Sequence, residues 1–280
     1  MSNKNYTDTS PSFGLNNLKS ENNKNISFNY IWDEDEQYWT PETQSNLAVD
    51  YIINNAKATI HKFGSNPDIS SAVSLTNPET IWDGSSEYEF PSDSGASIQV
   101  VSSNTGDSQE IIVQGLDENF LEQSWTGNLS GTGVVDIQGS WSRVFRAFNN
   151  GSNDIVGDIN IFESGNESKS YAQILDGNNQ TLMSVYTIPA NCTGYLINYH
   201  TTAHNQQSAS EIGYTLQMKT RNQGKVFRVK SVTSVATNLE ISKQFLFPFK
   251  LEPKTDIIFN AVSANGNNGA INVDFDIALL

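Results

Sequence analysis

The sequence predicts an all-β protein: two antiparallel β-sandwich domains, immunoglobulin-like or jelly-roll-like, preceded by an extended N-terminal arm. Three observations predict it. Short apolar–polar alternations separated by turn clusters follow one another from Thr59 onward, the pattern of antiparallel sandwiches. No run of β-α-β units interrupts them. Charged residues are only 17% and apolar residues 37%, so the polarity comes from Asn, Ser, Thr, Gln and Gly, as in turn-rich β proteins.

The arm comprises residues 1–58. It is Asn-, Ser- and Lys-rich up to Asn25, and then carries Phe28, Tyr30, Trp32, Tyr38 and Trp39 around the acidic run Asp33-Glu34-Asp35-Glu36. A disordered tail rarely holds so many aromatics. These five aromatics are therefore the expected partner-binding residues, docking on the chain's own body or on another subunit. Leu47, Tyr51, Ile52 and Ala56 recur at helical spacing within 43–58, and Ser45 is placed to cap that helix.

The first sandwich is expected over 59–167. Its strand from Thr59 leads into a turn at Asn66-Pro67-Asp68, and a second tight turn falls at Asp83-Gly84. Further strands are expected at 88–90, 98–101, 110–116, 121–128, 134–138, 141–148 and 158–162. The polar stretch 163–169 sets the boundary. The second sandwich, 168–280, is expected to hold strands at 171–175, 181–188, 194–201, 212–220, 225–232, 239–247, 255–264 and 270–279. Within it Leu182, Ser184, Tyr186 and Ile188 share one face, Met183, Val185 and Thr187 the other, and Pro189 ends the strand.

Charge and motifs exclude several functions. A net charge of −15 with 16 basic residues leaves no face for neutralising phosphates, so nucleic acid is not an expected partner. The visible basic group, Lys219, Arg221, Lys225, Arg228 and Lys230, reads as the wet face of a hairpin, or as a contact patch for an acidic neighbour such as another copy. No apolar run is long enough to span a membrane, and residues 1–5 lack the core of a signal peptide. One cysteine, Cys192, rules out an internal disulfide and a cysteine-based zinc site. The phosphate-binding loop, the serine nucleophile elbow and the paired-histidine zinc helix are all missing. His200 and His204 lie on a strand, and the run from Asp33 puts Tyr38 and Gln44 where a calcium loop needs Gly and Glu. No catalytic residue, metal ligand or cofactor site is expected. A glycosidase would need only two carboxylates across a cleft, and Trp82, Trp125 and Trp141 would form a sugar platform if exposed; core positions suit tryptophan better.

Several stretches together resemble a family of tailed-bacteriophage virion proteins of marine and gut phages. They are His61-Lys62-Phe63-Gly64-Ser65-Asn66-Pro67-Asp68-Ile69, Ile81-Trp82-Asp83-Gly84, Tyr88-Glu89-Phe90-Pro91, Val113-Gln114-Gly115-Leu116-Asp117 and Arg143-Val144-Phe145-Arg146-Ala147. The unit from Asn179 to Leu196 follows, then Gly224-Lys225-Val226-Phe227-Arg228-Val229 and Leu251-Glu252-Pro253-Lys254-Thr255-Asp256-Ile257. The resemblance spans roughly residues 60–280. It implies a non-enzymatic structural component of a phage particle, assembled in the bacterial cytoplasm beside other capsid or tail subunits, as a homo-oligomer. A capsid decoration or accessory protein docked through its arm is the leading expectation. A tail or neck component, or a glycan-binding receptor module, is the alternative.

Overall fold

The computed structural model describes residues 30–33, 38–41, 47–205, 211–267 and 269–280. The chain divides into two compact units, residues 1–46 and 47–280.

In the first unit, β1 (Tyr30–Asp33) and β2 (Tyr38–Pro41) pair antiparallel, with Trp32 opposite Trp39. The stretch expected to be a plain extended arm thus carries a hairpin. Alternating β-branched and aromatic residues favour strands here.

The second unit opens with α1 (Leu47–Asn55), whose Val49 and Ile52 pack on Ile197 and Ala278. This is the helix the spacing predicts; Ser45 lies outside the described residues. All remaining elements are strands, paired antiparallel in four sheets. One has the order β16 (Leu239–Leu251), β13 (Gly194–Asn205), β18 (Gly269–Leu279), β3 (Ala58–Ile69). The next runs β12 (Val185–Thr187), β17 (Thr255–Ala264), β14 (Gly213–Asn222), β15 (Arg228–Ala236), with β4 (Glu79–Thr80) also on β17. A third runs β11 (Asn166–Ile174), β10 (Ile159–Glu163), β5 (Ala96–Ser102), β8 (Val135–Trp141). The last is β7 (Glu122–Asn128), β6 (Glu110–Leu116), β9 (Arg143–Asn149). The chain is nearly all-β, as its composition and alternation predict.

Two hydrophobic cores result. The first gathers Leu196, Tyr199, Phe275 and Ile277 from one sheet with Tyr214, Leu216, Ile257 and Phe259 from the next. The second gathers Ile98, Val100, Ile159 and Ile161 with Ile111, Val113 and Val144. The sheet containing β12 and β17 serves both. Tyr186 and Ile257 enter the first core, and Val185 and Ile258 enter the second. Strand alternation is thus buried on both faces, Met183, Val185 and Thr187 on one and Ser184, Tyr186 and Ile188 on the other. The strand expected at 181–188 is ordered as only three residues of ladder, Val185 to Thr187.

The sequence-order segments interleave. β3 hydrogen-bonds to β18, and the polar stretch 163–169 is the turn and first arm of the β10–β11 hairpin. Two local expectations are corrected. Asn66-Pro67-Asp68 does not turn: β3 continues to Ile69, because it is an edge strand, where proline is tolerated. There the Asn66 side chain donates to Glu79 and accepts from the Asp68 amide. Residues 88–90 form no strand. Tyr88 acts as a crosspiece, its amide donating to Thr80 Oγ1 and its buried hydroxyl lying 3.0 Å from the carbonyls of both Val144 and Tyr171.

Candidate subunit interface

β15 and β16 are the outer strands of two different sheets, joined by a turn at Asn238, whose φ is 62°. They lie side by side, with the Lys230 Nζ 5.8 Å from the Phe249 ring centroid and the Lys243 Nζ donating to Ser231 Oγ at 2.8 Å. Strand alternation should hide one side of each. It fails in β15, where Arg228, Val229 and Lys230 are all exposed. It fails in β16 for a visible reason. Leu196 pairs with Phe249, but Asn198 pairs with Gln244, so four residues of β16 face the single Ile197. A bulge re-aims side chains. Here Phe245 and Phe249 turn onto the first core while Leu246 and Phe247 are 73% and 77% exposed.

β15 itself carries exposed Val229 and Val232 and exposed Arg228 and Lys230, and exposed Lys225 and Val226 stand just ahead of it in the chain. None of these three cations belongs to an ion pair among the described residues. Exposed apolar residues and cations thus occur together here on a chain of net charge −15. The expected wet hairpin face is therefore only partly correct. Lys225, Arg228 and Lys230 are solvated, but Arg221 is not part of it.

Arg221 instead reaches inward. Its Nε and Nη2 donate to Asp256 Oδ2 at 2.8 and 2.6 Å, and its guanidinium stacks on Phe90 and Phe227. Asp256 is fully buried. It also accepts from Arg143 Nε at 2.7 Å and from Thr187 Oγ1 at 2.6 Å. Arg143 in turn donates to Asp93 at 2.7 Å and lies over the Phe90 and Phe120 rings. Two arginines and two aspartates neutralise one another, so the network ties β9 to β17 rather than offering a free charge. The hint in the sequence was a charge occupying an otherwise apolar alternation slot at both Arg143 and Asp256.

The other predicted residues distribute as follows. Phe28 lies outside the described residues. Tyr30, Trp32, Tyr38 and Trp39 fall on β1 and β2, and only their backbone is described. Trp82 and Trp141 are core, and half-buried Trp125 donates from its indole to Gln138, so no sugar platform forms from these three. His61 pairs with Asp276, and His200 with Asp274, each through Nδ1. No cluster of three metal-ligating side chains occurs among the described residues. Burial pushes the Cys192 thiol up against the opposing pull of Lys57, which leaves it a poor nucleophile. Among the described residues, no helix is long and apolar enough to cross a membrane.

No family model matches the chain, and no curated protein matches it. Among solved structures it is similar to that of infectious bursal disease virus Gt strain, at 11% identity and TM-score 0.19, over 80% of this chain and 76% of that one. The Gx strain of the same virus gives 9% identity and TM-score 0.20, over 79% and 76%. Likeness at that level carries no structural or functional argument.

Proposed function

We propose that the chain is a non-enzymatic structural component of a bacteriophage particle. In this reading it is a capsid-associated decoration or accessory protein, assembled in the bacterial cytoplasm, and it docks through its N-terminal arm in a homo-oligomer with other virion subunits. Its two cores are read as two β-sandwiches that share a sheet. The observation that carries the reading is the β15–β16 pair, where exposed Leu246 and Phe247 on one strand and exposed Val229, Arg228 and Lys230 on the other share an acidic protein's surface. Long exposed sheet edges and apolar patches are hazards in a free monomer and are kept where a partner covers them. The acidic, aromatic stretch 28–39 has the complementary chemistry. An arm laid on that face of a neighbouring copy offsets its loss of chain entropy by burying aromatic surface. The phage-protein resemblance of residues 60–280 supports the same conclusion from the sequence.

The test is the copy number of this chain in purified particles relative to the major shell protein. Shell symmetry multiplies each decoration site, so on the order of hundreds of copies supports the capsid reading. A handful to a few dozen moves the protein to the tail or neck. Absence from particles overturns the structural reading. Removing residues 1–45 is expected to leave a folded body that no longer joins particles.

A further inference from the structure

A cavity of about 480 Å³ opens where β3, β6, β7, β9 and β12 meet, a volume within the range of small-molecule sites. It owes nothing to the β15–β16 face. Lys62 and Tyr186 line it, 7% and 1% exposed. The Lys62 ammonium donates to the Phe145 carbonyl, its one hydrogen bond among the described residues. The Tyr186 hydroxyl is buried and has no hydrogen-bond partner among the described residues. Arg146 stands on the same wall, stacked 4.5 Å over Phe148 and in no ion pair among the described residues. Burial first, and the Arg146 charge second, lower the Lys62 amine to about 7.

A buried amine beside a second cation is costly unless an anion sits between them. Here a lysine, a tyrosine and an arginine line one space, and each brings N–H or O–H donors to it. Exposed Glu122 adds the one carboxylate of the lining, and the amide and hydroxyl of Gln114 and Ser124 add neutral polar groups. Glu122 disfavours a bare anion but accepts from hydroxyl groups. The geometry points to a binding site for a small polyhydroxylated carboxylate, the chemistry of an acidic sugar, with its carboxylate on Lys62, Arg146 and Tyr186 and its hydroxyls toward Gln114, Ser124 and Glu122.

Calorimetric titration of the full chain with glucuronate tests this, with glucose and inorganic phosphate as comparison ligands. Glucuronate is expected to bind saturably, and Lys62→Met and Arg146→Gln each to weaken it about tenfold, as loss of a charge-assisted partner does. Tyr186→Phe is expected to weaken it by a smaller factor. Affinity is expected to fall as pH rises from 6 to 8.5 and the amine loses its proton. Arg146 is the charged group that acts on Lys62; Glu122 and His61, the latter paired with Asp276, are the other titratable groups of the lining. His61→Gln, which leaves the cavity's donors in place, is expected to preserve that pH dependence. No saturable binding of glucuronate overturns the site, as does binding unchanged in Arg146→Gln, a surface variant that keeps the fold even where Lys62→Met does not. Equal affinity for phosphate, or for glucose, overturns the acidic-sugar assignment.

Discussion

At the scale of residues, two buried groups set opposite pH dependences. Burial raises the Asp83 carboxyl to about 7, with Asp158 adding to it and the Leu182 amide opposing. Its folded value lies above its unfolded one, so its contribution is fullest in acid and is lost as pH rises toward 7. Lys62 is the reverse: its folded value is depressed, so its contribution is full near pH 10.5 and is lost as pH falls toward 7. Together they place a local minimum of stability near neutrality, each limb on the order of a few kcal/mol. Urea unfolding at a series of pH values checks this. Asp83→Asn is expected to flatten the acid limb relative to wild type, and Lys62→Met the alkaline one. Asp256 works through satisfaction instead of titration. Asp256→Asn would take from Arg221 the counter-charge it pairs with and leave buried Arg143 with Asp93 alone, and is expected to cost about 3–5 kcal/mol. Asp83→Asn, which keeps an acceptor for the Leu182 amide 3.0 Å away, should cost far less.

At the scale of elements, β3 shows how close the packing is. A Cβ at Gly64 would lie 2.1 Å from the Ser184 amide nitrogen and 2.6 Å from the Ile81 carbonyl oxygen. Both are backbone atoms and neither can swing away. Gly64→Ala is therefore expected to destabilise by at least the ~1–3 kcal/mol of an overpacked core, readable in the same unfolding experiment. The bulge in β16 is the opposite case, an element whose sequence is poorly used inside the fold. Phe247→Glu should leave the melting temperature within a few degrees of wild type, since that side chain is mostly in water. The same variant should lower self-association by tenfold or more in sedimentation, because large apolar anchors dominate interfaces. A large fall in melting temperature with unchanged association would make Phe247 a structural residue and remove it from the interface.

At the scale of the whole molecule, a net charge of −15 repels free copies from one another, and in the arm-docking proposal the cationic β15–β16 face is where that repulsion is locally reversed. Two consequences oppose each other. Salt screens the general repulsion, and it also screens the attraction between the acidic arm and the basic face. The arm-docking reading requires the second effect to dominate at the contact. Association of full-length copies should then weaken between 50 and 500 mM salt, whereas the body without residues 1–45 should show no such dependence. Association that strengthens with salt would mark a purely apolar contact and exclude the acidic run from it.

The sequence by itself determined the all-β class, most strand positions from 96 onward, the helix near Leu47 and the structural role of Trp82 and Trp141. These are local matters. Alternation, turn residues and side-chain area act within a few positions of each other and survive any arrangement of the sheets. Only the tertiary structure decided which strands are neighbours. The pairing of β3 with β18 joins residues about two hundred positions apart, and nothing in either strand names the other. The same is true of Arg143 with Asp256, of the sheet shared between two cores, and of the donors that meet around Lys62. Each is a meeting of residues distant in sequence, and its energy depends on burial that one strand's pattern cannot report. The exposed tip at Leu246 and Phe247 is the sharpest example: a bulge against Ile197 breaks the alternation of the strand expected there and leaves both in water.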